Sequence, residues 1–310
     1  MTDAEAKRRA LLALFLGAVG IAFAPMFTRD VQDFGGIDPT VAAFWRVALA
    51  APLLFVLMFV LQMRTRVREP QSQPGTGLKG RDWLLLSVPG VLFCGDLIAW
   101  HWSFEYTSQA NATLLANVAV ILVSLASWLF LKERFGRLFV LGGATAVIGL
   151  MVLLRVDFDI GAQTGKPVTF GDGLALLTAL FYGSYLLTVK ILRSRYTTLQ
   201  VMAVSSAACA VVTLPFALAF GGQFFPTTLN GWLSALGLGF VVHCMGQGLI
   251  AYAMARLPAS FSVVGLLSQP VLVAVIEWLR YEQVLTPMQM LGGGIILVGI
   301  LLARLGSRGI

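Results

Sequence analysis

Charged side chains are scarce in this chain. Asp, Glu, Lys and Arg make up only 12% of its 310 residues, about half the share carried by an ordinary soluble domain. Apolar residues make up 58% and the mean hydropathy is +0.83, so too little polar surface remains to cover a water-soluble fold of this size. Soluble multi-domain architectures are excluded. Histidine is nearly absent, with His101 and His243 alone. No Cys or carboxylate stands at ligand spacing from either, which argues against a metal centre. The three cysteines, Cys94, Cys209 and Cys244, fall in apolar runs; they read as small buried hydrophobes and say nothing of the redox compartment. No Gly-x-x-x-x-Gly-Lys-Ser/Thr loop occurs, so ATP drive within the chain has no support. Gly-x-Ser-Gly is missing, and Asp96 is the one mid-span Asp, which leaves an intramembrane protease without nucleophile or dyad. A channel would want a ring of like charges or a carbonyl filter, and neither shows. No cofactor is expected. The net charge of +7 reads as loop-borne Lys and Arg meeting anionic lipid, with no nucleic-acid partner.

What is present is a series of apolar runs of about 20 residues, the length that crosses a bilayer. They fall at roughly 11–28, 40–62, 83–104, 110–131, 138–154, 171–190, 199–221, 230–254, 259–279 and 287–305. The fold class expected is all-α integral membrane, with ten transmembrane helices as two inverted five-helix repeats. The N-terminal Lys7, Arg8 and Arg9 followed by an apolar run imitate a secretory signal, and Ala22-Phe23-Ala24 imitates a cleavage site. Pro25 follows at once, and nine similar runs come later, so this run reads as an uncleaved first helix. With the N-terminus placed in the cytoplasm, inner segments hold 17 Lys and Arg and outer segments hold 4. That bias satisfies the positive-inside rule for ten spans with both termini cytoplasmic.

The halves repeat. Leu141-Gly142-Gly143 and Gly149 recur 150 residues later as Leu291-Gly292-Gly293 and Gly299, and Trp128 meets Trp278 at the same offset. One residue out of that register, Trp83 and Gly90 meet Trp232 and Gly239. Five spans per half is an odd number, so the second half enters the membrane from the opposite side, a build common in secondary transporters. The expected units are 11–154 and 171–305, joined by residues 155–170, which carry Asp157, Asp159, Gly161 and Gly165.

Polar residues inside apolar spans are costly and mark functional candidates. Arg46 and Asp96 lie at matching depths, roughly 10 Å from one membrane face at about 1.5 Å per residue. They read either as a structural ion pair or as groups that meet a substrate carboxylate and amine. His101 and His243 suit proton coupling, since imidazole titrates near neutral pH; hydrogen-bonded structural histidines are the other reading. Trp100 shares a helix face with Asp96; Trp100, Trp102, Tyr182, Tyr185 and Tyr252 are fit to line a cavity, stacking flat or cationic solutes. Trp83, Trp232 and Trp278 fit the interfacial aromatic belt. Asn111, Asn117, Gln247, Ser268 and Gln269 read as interhelical hydrogen-bonding groups or cavity lining. Gln269 precedes Pro270, which can kink its span; Pro25, Pro52, Pro89 and Pro215 offer similar hinges. The glycine tracts at 142–149 and 292–299 suggest tight packing of the fifth and tenth spans.

The segment Gly95-Asp96-Leu97 … Trp100-His101-Trp102-Ser103 … Thr107-Ser108 … Ala110-Asn111-Ala112-Thr113-Leu114-Leu115-Ala116-Asn117, closing with Lys132-Glu133-Arg134, resembles the first repeat of EamA-type carriers of the drug/metabolite transporter superfamily. A looser second copy runs through Gln269-Pro270 to Glu282. The resemblance implies a ten-helix basket around a central cavity lined by spans 1–4 and 6–9, with spans 5 and 10 supporting. Many members export amino acids or related metabolites, including an aromatic amino-acid branch; others import nucleotide sugars or act on drugs. Asp96 and His101 have no like residue at their second-half mates, which sets a strictly symmetric mechanism in doubt. The expectation is an inner-membrane secondary carrier, not an enzyme, whose partners are the lipid bilayer and a small-molecule substrate. It moves that solute outward by alternating access, with amino acids the leading class. Carriage of drug-like cations or nucleotide-sugar-like metabolites is the alternative.

Overall fold

The computed structural model describes residues 3–68, 78–103, 106–107, 109–154, 168–281 and 285–307. Ser108, Asp157, Asp159, Gly161, Gly165 and Glu282, named above, lie outside these, as do the side chains of Ala110 and Asn111. Ten helical spans long and apolar enough to cross a membrane are present, matching the ten runs read from hydropathy. They are span 1 Asp3–Gly35, span 2 Pro39–Arg64, span 3 Gly80–Ser103, span 4 Ala112–Phe130, span 5 Arg137–Leu154, span 6 Phe170–Leu192, span 7 Thr198–Phe220, span 8 Leu229–Met254, span 9 Ala259–Tyr281 and span 10 Pro287–Gly306. Ten crossings put both ends of the chain on one side, here called the terminus face; the other is the far face. Large apolar side chains such as Phe15, Leu84, Phe130, Val211 and Leu279 are exposed on the outside of the bundle, the surface hydrocarbon would cover.

Local chemistry sets the helix starts. Thr197 and Thr286 each accept from the backbone N–H of the third helical residue, Gln200 and Gln289, whose side chains accept in return from the threonine backbone. These are capping boxes opening spans 7 and 10. Pro287 follows Thr286 at the first helical position, where the missing N–H costs nothing.

Spans 5 and 10 pack against each other along their length, and glycine is the reason. A Cβ added at Gly142 would sit 2.6 Å from the Gly299 carbonyl oxygen, and one at Gly299 would sit 2.7 Å from that of Gly142. Gly149 and Gly292 repeat the relation, each 2.9 Å from the other's oxygen. Mates in the 150-residue offset thus exchange partners across the crossing, as a two-fold axis between antiparallel helices requires. The same swap occurs deeper in the bundle. Gly90 of span 3 abuts the backbone of Ser205 and Cys209 in span 7, while its mate Gly239 in span 8 abuts that of Arg46 and Ala50 in span 2. Arg46 and Ser205 therefore occupy corresponding places, and only one of them is charged.

Four spans depart from regular α-helix. Span 1 breaks at Phe23, ahead of Pro25; span 4 breaks at Asn117–Val118; span 9 breaks at Leu267, ahead of Pro270. The breaks at Asn117 and Leu267 are again 150 residues apart. At each the ladder tightens to three-residue bonds, Asn117 N–H to the Leu114 carbonyl and Leu267 N–H to that of Val264, both 3.1 Å. The Asn117 N–H is shared with the Thr113 carbonyl, also at 3.1 Å, and local side chains add to the same stretches: Asn117 Nδ2 donates to Thr113 O at 2.7 Å and Ser268 Oγ to Gly265 O at 2.8 Å. In span 8, Leu238–Gln247 is wound as a π-helix, an uncommon form concentrated at functional sites. Pro52, Pro89 and Pro215 lie inside continuous helices.

Candidate functional site

The irregular segments converge. A cavity of about 430 Å³ is lined by Ala22, Ala24 and Pro25 at the break in span 1, Ala116 and Asn117 at that in span 4, Gln269 and Pro270 beside that in span 9, and Gln247 at the end of the π-helix. Non-helical backbone at membrane depth is tolerated where it borders a cavity, so the breaks and the cavity explain each other. Leu153 and Leu154 at the end of span 5 and Gln289 at the start of span 10 also line it, and all three lie at the far face. There the cavity has its mouth. Spans 5 and 10 therefore form part of the rim, and span 7 lines nothing, in contrast to the expected lining by spans 1–4 and 6–9. The cause is the Gly90 contact, which packs span 7 directly behind span 3.

Seven of the residues singled out in the sequence line this cavity, namely Arg46, Asp96, Trp100, Asn117, Tyr182, Gln247 and Gln269, whereas Trp102, Tyr252 and Ser268 do not. Arg46 and Asp96 are not an ion pair. Among the described residues the ion pairs within 4.0 Å are Lys7–Asp3 and Arg29–Asp33. The Arg46 guanidinium instead lies 5.3 Å from the centre of the Phe93 ring, within range of a cation–π attraction. Asp96 is close enough to Arg46 for their charges to interact, and both residues line the cavity. Buried polar groups normally find partners. Here Arg46 Nε, Thr178 Oγ1, Gln247 Oε1 and Gln269 Nε2 have none within the protein, although Gln247 is only 1% exposed and Thr178 only 2%. All four belong to the lining.

His101, Tyr185 and His243 are not among the lining residues. His101 Nδ1 is 2.7 Å from the Leu97 carbonyl, one turn back on its own helix, and its ring packs edge-on against Trp100. Tyr185 stacks on Tyr182 at 6.1 Å and leans on Phe93 at 5.0 Å. His243 Nε2 meets Ser206 Oγ at 2.8 Å, behind Phe93. Tyr185 and His243 thus back the ring on which Arg46 rests. The position 149 residues after Asp96 is Met245, 59% exposed on the outside of the bundle, so the carboxylate has no counterpart facing the cavity.

One family model, described as the EamA-like transporter family, matches residues 8–155 and again 169–305. The chain belongs to the EamA-like transporter family. It is a multi-pass membrane transporter of the drug/metabolite superfamily rather than an enzyme. Similar proteins include the pseudopaline exporter CntI of Pseudomonas aeruginosa, 24% identical over 86% of this chain and 86% of that protein. A probable terminal-alkyne amino-acid exporter of Streptantibioticus cattleyicolor is 25% identical over 72% and 75%. An uncharacterized transporter of Archaeoglobus fulgidus is 25% identical over 94% of each. A crystal structure with 17% identity superposes with a TM-score of 0.78 over 98% of this chain and 99% of that one; at that identity it supports the fold alone.

The terminus face of this EamA-like chain is shut by side chains that hold the connection between spans 8 and 9. Lys132 takes the left-handed conformation, φ 56°, rare for a residue with a Cβ. Glu133 N–H then reaches back to the Ser127 carbonyl at 3.1 Å, the reverse turn that ends many helices. That turn aims the Glu133 carboxylate at the start of span 9, where it accepts from Ala259 N–H, Ser260 N–H and Ser260 Oγ. An anion is favoured at a helix N-terminus. Lys190, from the end of span 6, donates to the Met254 and Leu257 carbonyls at 2.8 and 2.6 Å. Arg193 donates to the carbonyls of Ala251 and Tyr196; burial, and then the nearby charge of Arg256, push its guanidinium below the usual range. Met254, Leu257 and Ala259 are fully buried beneath this lattice.

Among the lining residues that the sequence reading did not single out are Phe93, Thr113, Thr178, Glu277 and Gln289. Phe and Thr are too common in apolar spans to stand out. Gln289 carried a signal in its Thr-x-x-Gln spacing, and its side-chain oxygen is committed to capping Thr286. Glu277 carried the same signal as Asp96, a carboxylate inside an apolar run.

Proposed function

We propose that this transporter exports small zwitterionic metabolites, amino acids foremost, by alternating access. The supporting observation is the set of four buried polar atoms without protein partners, Arg46 Nε among them, whose residues line one cavity together with Asp96. The proposal assigns the substrate carboxylate to Arg46 and Gln269 Nε2, donors without acceptors, and the amine to Asp96 and Gln247 Oε1, acceptors without donors. Trp100, Tyr182, Asn117 and the apolar wall take the rest of the molecule. The cavity is small but within the range of metabolite sites. Among the described residues, a single lining cation, Arg46, beside two carboxylates argues against a nucleotide diphosphate cargo. Two similar proteins named as exporters, one of them of an amino acid, point the same way.

In this proposal the two five-span units, 11–154 and 171–305, rock about the crossing of spans 5 and 10. The protein sits in the inner membrane with both termini cytoplasmic, as the Lys/Arg bias suggests, and the far-face mouth is then the release side. Proton coupling belongs to the same proposal. Purified protein in liposomes, offered labelled amino acids with and without a pH gradient, tests it. Saturable uptake, stimulated by the same unlabelled amino acid on the far side, is expected. No flux with any amino acid would remove the substrate class.

A further inference from the structure

The cavity wall on span 9 is graded from one end to the other. Gln269, Pro270, Val273, Ala274 and Glu277 all line it. Their spacing, i, i+1, i+4, i+5 and i+8, is one helix face. Gln269 Nε2, without a protein partner, is at the deep end. Glu277 is at the mouth, about 12 Å further along the helix axis at about 1.5 Å per residue. Val273 and Ala274 make the surface between them apolar. The face therefore runs from a neutral donor through an aliphatic stretch to a carboxylate.

Glu277 is half-buried, and among the described residues it has no ion pair within 4.0 Å. Among the described residues, the cations around it are engaged elsewhere. Arg29, the one close enough to act on it through charge, pairs with Asp33 at 3.5 Å and lies 4.4 Å above the Tyr281 ring. Arg280 lies 5.5 Å from the same ring, and the Tyr281 hydroxyl is held by Asp30 at 3.1 Å. Tyr281 thus anchors both arginines one helical turn beyond Glu277. With Asp96 below and Glu277 above, the cavity faces its contents with two carboxylates and one guanidinium. Gln247, 1% exposed with its side-chain oxygen unpartnered, adds an acceptor within the lining.

We propose that Glu277 reads a second positive charge on the cargo, so that the preferred substrates are basic amino acids. These have an α-amino-acid head for Arg46 and Asp96, an aliphatic stem for Val273 and Ala274, and a terminal ammonium or guanidinium for Glu277. This rests on the amino-acid reading above and narrows it.

The test compares labelled lysine and arginine with leucine in proteoliposomes of the full-length protein. The wild type carries lysine or arginine faster than leucine, and Glu277→Gln lowers the lysine-to-leucine flux ratio at least tenfold. Glu277→Asp keeps the charge and restores most of that ratio, which a purely structural role would not do. If leucine is carried and lysine and arginine are not, or if Glu277→Gln lowers lysine and leucine flux in equal proportion, the inference fails while the amino-acid reading stands. If none of the three is carried by a preparation whose other amino-acid fluxes are intact, the inference also fails alone. If no amino acid is carried at all, both fall together.

Discussion

Glu133 and Ser260 meet across the terminus face, carboxylate to hydroxyl at 2.6 Å. The same carboxylate caps the first two N–H groups of span 9, so one side chain from the first half holds the start of a helix in the second. A transporter that opens toward this face must break that contact.

Glu133→Ala should therefore shift the protein toward opening at the terminus face. Hydrogen bonds to a charged group contribute about 1.5–3 kcal/mol, enough for a tenfold or larger change in population. A cysteine placed at Val263, which is 2% exposed one turn into span 9, in a background without the native cysteines, should react several-fold faster with a thiol reagent applied from that side. Equal labelling rates with and without Glu133 would remove its role as a latch.

Lys190→Met should destabilise the closed terminus face through the two carbonyls it releases, Met254 and Leu257. Leaving a buried acceptor unsatisfied costs about 1–3 kcal/mol. Thermal unfolding of the detergent-solubilised protein should move down by several degrees. An unchanged melting curve would mean that water replaces the ammonium without cost.

Arg46→Lys and Asp96→Asn should each reduce flux at least tenfold while membrane levels stay within about twofold. A tenfold change corresponds to about 1.4 kcal/mol. Neither residue is locked to a protein partner, so folding should tolerate both changes. Loss of protein in parallel with loss of flux would favour a structural role.

Gly142→Ala and Gly299→Ala should lower abundance and leave flux per molecule largely intact. Each new methyl group would press on the backbone of the facing helix, and overpacking of this kind costs about 1–3 kcal/mol. Because the two glycines abut each other, the double substitution should depart from additivity. Quantitative membrane blots paired with flux read both effects. A large fall in turnover at normal abundance would show that the crossing moves during transport.

Much of this was legible in the sequence, for identifiable reasons. Ten apolar runs are a strong signal because lipid tolerates no unsatisfied backbone, and all ten spans are found. The offset that joins Gly142 to Gly292 was legible because close helix approach leaves few alternatives to glycine. Matching depths of Arg46 and Asp96 followed from counting residues, and both reach the cavity. Pairing between them did not follow, since depth fixes height along the helix and not the direction a side chain takes. His243 and Tyr185 illustrate the same gap: their polarity marked them, but they back Phe93 instead of lining the cavity. The break at Leu267 lies where Pro270 was expected to kink its span; the one at Asn117 was hidden because no proline or glycine marks it, and it borders the cavity. Glu277 was overlooked for its nearness to a span end, where carboxylates are ordinary.

The reciprocal crossing of spans 5 and 10 has a consequence for how the halves fit. Gly142 and Gly149 present to the second half the very face that Gly292 and Gly299 present to the first. Each half therefore bears a surface complementary to its own inverted counterpart, and one pattern of small residues, written twice, closes both sides of the seam.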